Sequence, residues 1–553
     1  MSSIKTTIES FLYPFIDRYT ETVYNGGEDT VIEGIAVLQE SSAFTHGALI
    51  HATAILYIQY KNCADERADE ILKRLNSFID ITLKLESVKT WGKLGILRGL
   101  HKLARAGLIN DIPSDKIREL AQKTDYSDFL DKESLSLIDY PTNYYQVALG
   151  CALYREYLGF EDEGMSAKLE KKLIEVSFPD NDSFMDDEPG YGRYDRYSFI
   201  LSSEISDRYM EIGKPLPEII SRNLTICAKH SLFMANACGD GFNYGRSLSM
   251  HGDLTPAEIL ASALSRGLIK DDDKDTTLAY IFAILQKTLY FWYNPRKQSF
   301  DIWWDGRTTN NYRGIHRLLE VNMDMVSHLY TLYENIAAAG LELTAIPAKF
   351  AYPKKWEYEK LEFAPSYIAY ILRYKDMLAM IPFIGTKQWG LCSAYNPHPA
   401  INGFVEGSPT STLPFLIPEY LDNRGTKYRP LHYVGSTEEK EVDGGLLITA
   451  FGKLMIADDT KSKTDIDYRQ DVFLRGNEII VEFEVEEDLV SAEMITATQN
   501  ESTKILVGGF DESEILEITD TNDFKTPHGS YSLAFLHHSS KPKRLGYKIT
   551  LDI

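Results

Sequence analysis

The sequence predicts an α+β protein of several domains, in which helical hairpins are followed by an antiparallel β-sandwich. Three observations lead to this prediction. The chain has 553 residues, more than one hydrophobic core usually serves, so two or three domains are expected. Apolar residues recur every three or four positions up to about residue 345, which is the spacing of helices. Beyond about residue 360 the chain has short β-prone segments separated by turn residues.

Helical periodicity accounts for most of the first 345 residues. Seven segments carry it strongly: 44–61, 64–85, 90–107, 143–159, 217–235, 255–268 and 277–293. Five more carry it weakly: 4–22, 114–124, 164–177, 198–212 and 312–338. About a dozen helices joined by short turns predict six helical hairpins in succession.

Turn-forming pairs mark the strands of the second part. Lys375-Asp376 separates two β-prone runs within 367–385, and Gly476-Asn477 separates alternating strands within 467–488. The segment 444–458 predicts a third hairpin of this kind. Many short strands with turns between them indicate an antiparallel sandwich. We therefore predict a helical domain over residues 1–348 and a β-sandwich domain over residues 355–553.

Charge and hydropathy exclude several classes of partner. The formal net charge is −23, which argues against binding to nucleic acid or to an anionic membrane surface. We find no 18-residue apolar run that would predict a transmembrane helix. The first residues place Glu9 and Asp17 among apolar positions, unlike a secretory signal, so a cytoplasmic location is expected.

Cysteine and acidic residues do not form a metal-binding pattern. The five cysteines are widely separated and form no CxxC pair. The acidic run at 271–275 predicts a solvated turn, since successive acids on a loop point in different directions. We expect neither a metal nor a cofactor. The oligomeric state stays open, with a homo-oligomer as one alternative.

Two polar segments are candidates for a functional site. GDGFNYGRSLSMHGD (239–253) places titratable groups among glycines that allow close backbone approach to a ligand. DDEPGYGRYDRYS (186–198) combines aromatic and charged residues in a way typical of carbohydrate subsites. The alternative interpretation of the segment 239–253 is a polar surface turn. Because the two segments lie about one helical hairpin apart, we expect them to face one another.

These segments carry a resemblance to a known family. The helix start Tyr194-Asp195-Arg196-Tyr197, followed by DGFNYGRSL at 240–248, resembles bacterial domain-of-unknown-function family 2264. Helical hairpins followed by a β-sandwich also resemble the (α/α)-toroid polysaccharide lyases and related glycoside hydrolases. The resemblance implies an (α/α)6-type helical toroid over the N-terminal domain. Some relatives are grouped with glycoside hydrolases that act on glucuronic acid, which implies an acidic oligosaccharide as substrate.

The candidate site residues fall into two groups. Groups that could move protons or attack the substrate are Asp195, Asp240, Glu188, Tyr244 and His251. Groups that could bind sugar hydroxyls or a carboxylate are Arg246, Arg193, Tyr191, Tyr194, Tyr197, Asn143, Arg307 and Arg313. Asp195 has an equally good interpretation as a helix cap, and Asp240 as part of a turn.

Three functions compete for these residues. An exo-acting glycoside hydrolase that removes a uronic acid would use a carboxyl pair, first Asp195 with Asp240 and then Glu188 in reserve. A lyase would need a base such as Tyr244 or His251 and a carboxylate neutraliser such as Arg246. In toroid lyases an Asn or Arg neutralises the uronate while a Tyr or His abstracts the C5 proton. A non-catalytic carbohydrate-binding protein would need none of the acids. We rank the hydrolase first.

Overall fold

The structure is a computed structural model of the chain. It describes residues 4–39, 44–161, 163–178, 193–303, 307, 314–341, 350–364, 367–384, 395–401, 416–430, 434–457, 463–486, 489–498, 505–506, 514–526, 529–538 and 544–551.

Helices fill the described part of the chain up to Ala338. They are α1 (Ile4–Gly26), α2 (Thr45–Asn62), α3 (Ala68–Lys84), α4 (Thr90–Arg105), α5 (Ser114–Lys123), α6 (Tyr144–Tyr157), α7 (Met165–Ser177), α8 (Arg196–Glu211), α9 (Glu218–Phe233), α10 (Met250–Ser265), α11 (Lys274–Lys287) and α12 (Leu318–Ala338). A single π-helical turn, Thr288–Trp292, continues α11. Each of the twelve segments predicted from periodicity corresponds to one of these helices.

The even-numbered helices form a closed ring. Each packs against the next even-numbered helix, and α12 packs back against α2. These inner helices are buried on most of their faces, as α10 is from Met250 to Leu264. Outer helices such as α3 and α5 keep a polar face exposed, which is why their apolar residues follow the helical period so clearly. The helical domain is therefore an (α/α)6 toroid, as expected.

Strands form short ribbons within the helical part and larger sheets in the second half of the chain. Three two-stranded ribbons lie between helices: β1 (Val31–Ile32) with β2 (Ile35–Ala36), β3 (Leu130–Asp131) with β4 (Ser136–Leu137), and β5 (Tyr293–Asn294) with β6 (Ser299–Phe300). A four-stranded antiparallel sheet contains β7 (Glu357–Ala364), β8 (Tyr367–Tyr374), β9 (Met377–Ile384) and β10 (Ala400–Ile401).

A larger antiparallel sheet follows in the chain. Its strands are β11 (Pro418–Leu421), β12 (Lys427–Arg429), β13 (Val434–Val442), β14 (Gly445–Ile456), β15 (Lys463–Arg475), β16 (Glu478–Val485), β17 (Ser491–Thr498), β18 (Ile505–Leu506), β19 (Glu514–Thr526), β20 (Gly529–His538) and β21 (Arg544–Thr550). The predicted turns at Lys375-Asp376 and Gly476-Asn477 join β8 to β9 and β15 to β16.

The predicted hairpin at 444–458 is wrong. These residues form the single strand β14, which pairs with β13 on one side and β15 on the other. Phe451-Gly452 looks like a turn, yet both residues stay in the ladder, with a register shift between Lys453 and Met455. A strand paired on both sides keeps its backbone bonds through a bulge, so the apparent turn is a local irregularity.

The four-stranded sheet lies between the toroid and the larger sheet. On β8, Tyr370 and Leu372 belong to a core that includes residues of β14 and β15. Ala369 and Ile371, on the opposite face, belong to the core of the helical domain. Because successive side chains of a strand point to opposite faces, a sheet covered on both sides is apolar throughout, as the sequence YIAYILRY shows.

The last described helix ends at Ala338 and the first strand of this sheet begins at Glu357. The predicted domain boundary, between residues 348 and 355, falls in this interval, and its residues 342–349 lie outside the described part. Among the helices described, none combines the length and hydropathy that crossing a membrane would require.

Candidate functional site

A cavity of about 200 Å³ occupies the centre of the toroid. All six inner helices contribute to its wall, because each presents one face to the middle of the ring. The polar and aromatic residues that line it are Phe44, His51, Trp91, Arg98, Asn143, Tyr144, Arg196, Tyr197, Glu204, Asp207, Arg208, His251, Glu258, Arg317, Glu320, Asp324, Ser327, His328 and Thr331. Three residues predicted from sequence are among them: Asn143, Tyr197 and His251.

On one side of the cavity, two histidines converge on a carboxylate. Asp324 and His328 are four residues apart on α12 and so lie on one face. His251 approaches from the first turn of α10, and its Nε2 lies 3.3 Å from Asp324 Oδ2. His328 Nε2 lies 3.4 Å from the same oxygen. His328 also forms a hydrogen bond through Nδ1 with Glu258 Oε1. We call these four residues the histidine cluster.

The histidine cluster is strongly coupled electrostatically. Burial lowers the pKa of His328, but the carboxylates of Glu258 and Asp324 outweigh this effect and raise the pKa well above its ordinary value. Burial raises the pKa of Asp324, but His328 and His251 outweigh this effect and hold the pKa well below its ordinary value. The side chain of Asp324 is 45% exposed, and Asp324 lines the cavity.

Asp207 is a second titratable group of the cavity. Burial raises its pKa to about 7, against hydrogen bonds that act in the opposite direction. Asn335 donates one of them, with Nδ2 at 3.0 Å from Asp207 Oδ1. A carboxyl group with such a pKa carries a proton through much of the neutral range and can act as a general acid.

Another part of the cavity wall carries an asparagine, tyrosines and arginines. Asn143 precedes the first turn of α6, and its side chain is largely buried. Tyr197 is partly exposed on α8, and its hydroxyl donates to Ser247 Oγ at 3.0 Å. The guanidinium carbons of Arg196 and Arg246 lie 4.6 and 4.8 Å from the centre of its ring. Positive charge therefore lies directly beside the tyrosine.

Asp195 is buried beneath this wall and is not among the residues that line the cavity. It caps α8, since Oδ1 accepts a bond from the backbone N of Tyr197 at 2.8 Å. Its Oδ2 accepts from Arg246 Nε at 2.8 Å and from the hydroxyl of Tyr395 at 2.6 Å. Burial raises the pKa of Asp195, but Arg246 and Tyr395 outweigh this effect and hold the pKa below its ordinary value. We call Asp195, Arg246 and Tyr395 the interface triad.

The interface triad joins the two predicted segments, which do face one another. Gly245 makes the contact possible: a Cβ there would lie 2.3 Å from Asp195 Cβ, and its φ is +91°. Ser247 and Ser249 follow at φ of 52° and 65°, a conformation that costs non-glycine residues about 1–3 kcal/mol. Arg196 Nε donates to the backbone O of Ser247 at 2.9 Å, which helps hold this strained stretch.

Asp240 and Tyr244 also lie outside the residues that line the cavity. Asp240 Oδ1 is 2.6 Å from Lys287 Nζ, which in turn lies 2.8 Å from Asp253 Oδ2. Tyr244 is 1% exposed, and burial and the charge of Asp195 raise its pKa well above its ordinary value. In this structure Asp240 is held in a cation-bridged pair and Tyr244 is enclosed beneath the wall, which does not favour the predicted proton-transfer roles.

The remaining predicted residues lie apart from the cavity wall or outside the described residues. Tyr194 stacks on Phe363 of β7, with ring centres 4.9 Å apart. Arg193 acts electrostatically on Tyr395. Arg307 covers Phe291 and donates to its backbone O at 3.2 Å. Glu188, Tyr191 and Arg313 lie outside the described residues.

Sequence reasoning missed several groups that line the cavity, namely Trp91, Asp207, Glu258, Asp324 and His328. One signal was present. Asp324 and His328 stand at i and i+4 within a segment predicted to be helical, a spacing that places two ligating side chains on one face. The prediction also began the helix at residue 255, whereas α10 begins at Met250 and places His251 in its first turn.

Comparison with solved structures identifies the fold. The chain matches the chondroitin AC lyase of Streptomyces coelicolor A3, in complex with chondroitin sulphate, at a TM-score of 0.53 and 12% identity, covering 98% of this chain and 79% of the lyase. A chondroitinase AC lyase matches at 0.47 and 9%, covering 100% and 83%. A heparinase III matches at 0.29 and 9%, covering 98% and 91%.

No protein-family model matches the chain, and no curated protein matches it. The resemblance to family 2264 therefore depends on the two motifs alone. At 12% identity the first comparison shows the fold and not the activity. The chain shares with this chondroitin AC lyase a helical toroid followed by a C-terminal β-rich region.

Proposed function

We propose that this chain is a carbohydrate-active lyase that cleaves uronate-containing oligosaccharides by β-elimination in the central cavity. One observation carries the proposal. Asn143, Tyr197 and Arg196 line the cavity, whereas Asp195 and Asp240, the carboxyl pair predicted for hydrolysis, do not. β-Elimination needs a base and a group that neutralises the substrate carboxylate, and it needs no pair of carboxyl groups.

Asn143 is the proposed neutraliser of the uronate. It stands at the start of α6, where the helix N-terminus favours negative charge. Its side-chain amide can donate hydrogen bonds to a carboxylate oxygen. Withdrawal of charge from that carboxylate makes the hydrogen on C5 more acidic, which is the requirement for its removal.

Tyr197 is the proposed proton-transfer residue, in place of the Tyr244 predicted from sequence. Tyr197 lines the cavity, and Arg196 and Arg246 flank its ring. In the reaction a base removes the C5 proton, the C5–H electron pair forms the C4–C5 double bond, and the C4–O bond breaks. The leaving oxygen takes up a proton, so that one unsaturated and one saturated product result.

The fold and the motifs support an acidic substrate. The solved lyase of the same fold was captured with chondroitin sulphate, an acidic polysaccharide. The motifs at 194–197 and 240–248 resemble family 2264, in which some relatives are grouped with enzymes of glucuronic acid. Both considerations favour a uronate over a neutral sugar. Aromatic residues of the wall, such as Trp91, offer faces on which a sugar ring can pack.

A hydrolase is the second candidate, and Asp207 is the observation that favours it. Burial raises the pKa of this cavity-lining carboxyl to about 7, as a general acid in glycoside hydrolysis requires. Its counterpart would come from Glu204, which also lines the cavity. In this case a uronic acid would be released without a double bond.

Product analysis separates the two candidates. The chain is incubated with a panel of uronate oligosaccharides while ultraviolet absorbance of the C4–C5 double bond and released monosaccharide are recorded together. We expect unsaturated product, and we expect Tyr197→Phe to lower kcat about 10²- to 10⁴-fold. Tyr24→Phe is the matched control, because Tyr24 is an exposed tyrosine of α1.

Released monosaccharide without a double bond, abolished by Asp207→Asn, would instead establish the hydrolase. Unsaturated product formed equally fast by Tyr197→Phe would show that another group removes the proton.

A further inference from the structure

We propose that the histidine cluster is a binding site for one divalent transition-metal ion, with His251, Asp324 and His328 as ligands. The ligand atoms of these three residues all lie within 4.8 Å of one another. They come from two neighbouring helices of the inner ring, α10 and α12, whose packing fixes their separation. Two imidazoles and one carboxylate form a ligand set typical of Zn²⁺.

The two distances from the histidine nitrogens to Asp324 are compatible with a shared metal ion. Charge-assisted bonds between a nitrogen and a carboxylate are usually about 2.7–2.9 Å long. The separations here are 3.3 Å from His251 Nε2 and 3.4 Å from His328 Nε2 to the same Asp324 oxygen. Ligands about 2.0–2.1 Å from a tetrahedral Zn²⁺ are about 3.3–3.4 Å apart. Both histidine-to-carboxylate separations in the structure have this length.

Glu258 supplies a second, independent feature of a metal site. A histidine that binds a metal through one ring nitrogen commonly donates the N–H of the other to a carboxylate, which fixes the ring and its tautomer. His328 has this arrangement, since Nε2 faces Asp324 and Nδ1 is bonded to Glu258. When the ion displaces the proton from Nε2, the same bond would hold the ring with Nε2 turned toward the ion.

A role in catalysis follows if the proposed function holds. All three ligands line the cavity, so an oxygen of the substrate could complete the coordination of the ion. The ion would then share the neutralisation of a uronate carboxylate with Asn143. This role rests on the proposed function, whereas the binding of the ion does not.

Calorimetry of the full chain without substrate tests the site. The protein is treated with a chelator, dialysed and titrated with ZnCl₂. We expect one ion per chain. We expect His328→Ala and Asp324→Asn to weaken binding more than 100-fold, and Glu258→Gln to weaken it about 10- to 100-fold. His316→Ala is the matched control, because His316 is an exposed histidine just before α12. The affinity of this variant for Zn²⁺ should equal that of the parent.

A spectroscopic measurement keeps the test independent of stability. Co²⁺ replaces Zn²⁺ in the same samples, and the intensity of its visible absorption reports four-coordinate ligation. The proposal is overturned if the parent chain binds no ion, or if folded Asp324→Asn and His328→Ala, checked by circular dichroism, bind it as the parent does. Metal binding with no lyase activity would leave the site in place and refute the proposed function instead.

Discussion

Two groups of charged side chains in the helical domain, the interface triad and the histidine cluster, differ in their surroundings. At the interface triad, Asp195 is fully buried, and Tyr395, from the segment before β10, donates to it. At the histidine cluster, Asp324 is 45% exposed and lines the cavity. The first place is closed by the second domain, and the second is open to the middle of the ring.

Charge at the interface triad stabilises the fold, whereas charge at the histidine cluster is available for chemistry. A carboxylate whose oxygens are occupied by a cap, a guanidinium and a phenol has no position left for a substrate. Such an arrangement fixes the helical domain against the sheet, as does the bond from Asn243 Nδ2 to the backbone O of Ala400 at 2.7 Å. Groups that line a cavity can still exchange protons or ligands. The following predictions test this division.

Asp195→Asn should have the largest effect on stability. The amide can still accept the bond from Tyr197, but the charge of Arg246 loses its partner in a buried site. We expect a loss of about 3–5 kcal/mol in the free energy of unfolding, measured by urea denaturation. Asp240→Asn is the control, because Lys287 keeps its contact with Asp253. Equal losses for the two variants would contradict the assigned role of the interface triad.

Gly245→Ala should destabilise less, by roughly 2–4 kcal/mol. The new Cβ would lie 2.3 Å from Asp195 Cβ, and a left-handed conformation adds its own cost. Gly267→Ala is matched to it, since Gly267 has a φ of +67° and nothing within 4 Å of an added Cβ. That variant should lose only about 1 kcal/mol by the same unfolding measurement. Similar losses of stability in the two variants would mean that the contact with Asp195 does not require a glycine at position 245.

Asp207 should make the free energy of unfolding depend on pH. Its pKa rises from 3.8 to about 7 on folding, so the folded chain holds a proton that the unfolded chain has lost between these values. Stability should therefore fall as pH rises from about 4 to about 7, by about 3 kcal/mol. Unfolding curves of the parent and of Asp207→Asn, recorded across this range, should diverge with rising pH. Parallel curves would show that Asp207 is ionised throughout.

The sequence predicts the elements better than it predicts their assembly. Apolar spacing located all twelve helices, and turn pairs located the β8–β9 and β15–β16 hairpins, because these signals are local. The strand β14 was misjudged because Phe451-Gly452 resembles a turn when its two neighbouring strands are not considered. Pairing on both sides is a tertiary property, and a single segment does not reveal it.

The site shows the same limit. The motifs at 194–197 and 240–248 do meet, but motif chemistry alone could not show that Tyr395 closes the contact from about 200 residues away, the sequence separation of its bond to Asp195. His251 could be identified as a candidate site residue from the residues beside it in the sequence. Its partner Asp324 lies 73 residues further on and becomes visible only when α10 and α12 are packed together.

The central claim is that chemistry takes place in the cavity and that the interface triad supports the fold. Its most direct test is the rate of unsaturated product formation by Tyr197→Phe and Asp195→Asn, both assayed at a temperature where circular dichroism shows them folded. We expect Tyr197→Phe to lose about a hundredfold or more, and Asp195→Asn to stay within about tenfold of the parent. An inactive Asp195→Asn beside a nearly normal Tyr197→Phe would place the reaction at the interface triad and contradict the account.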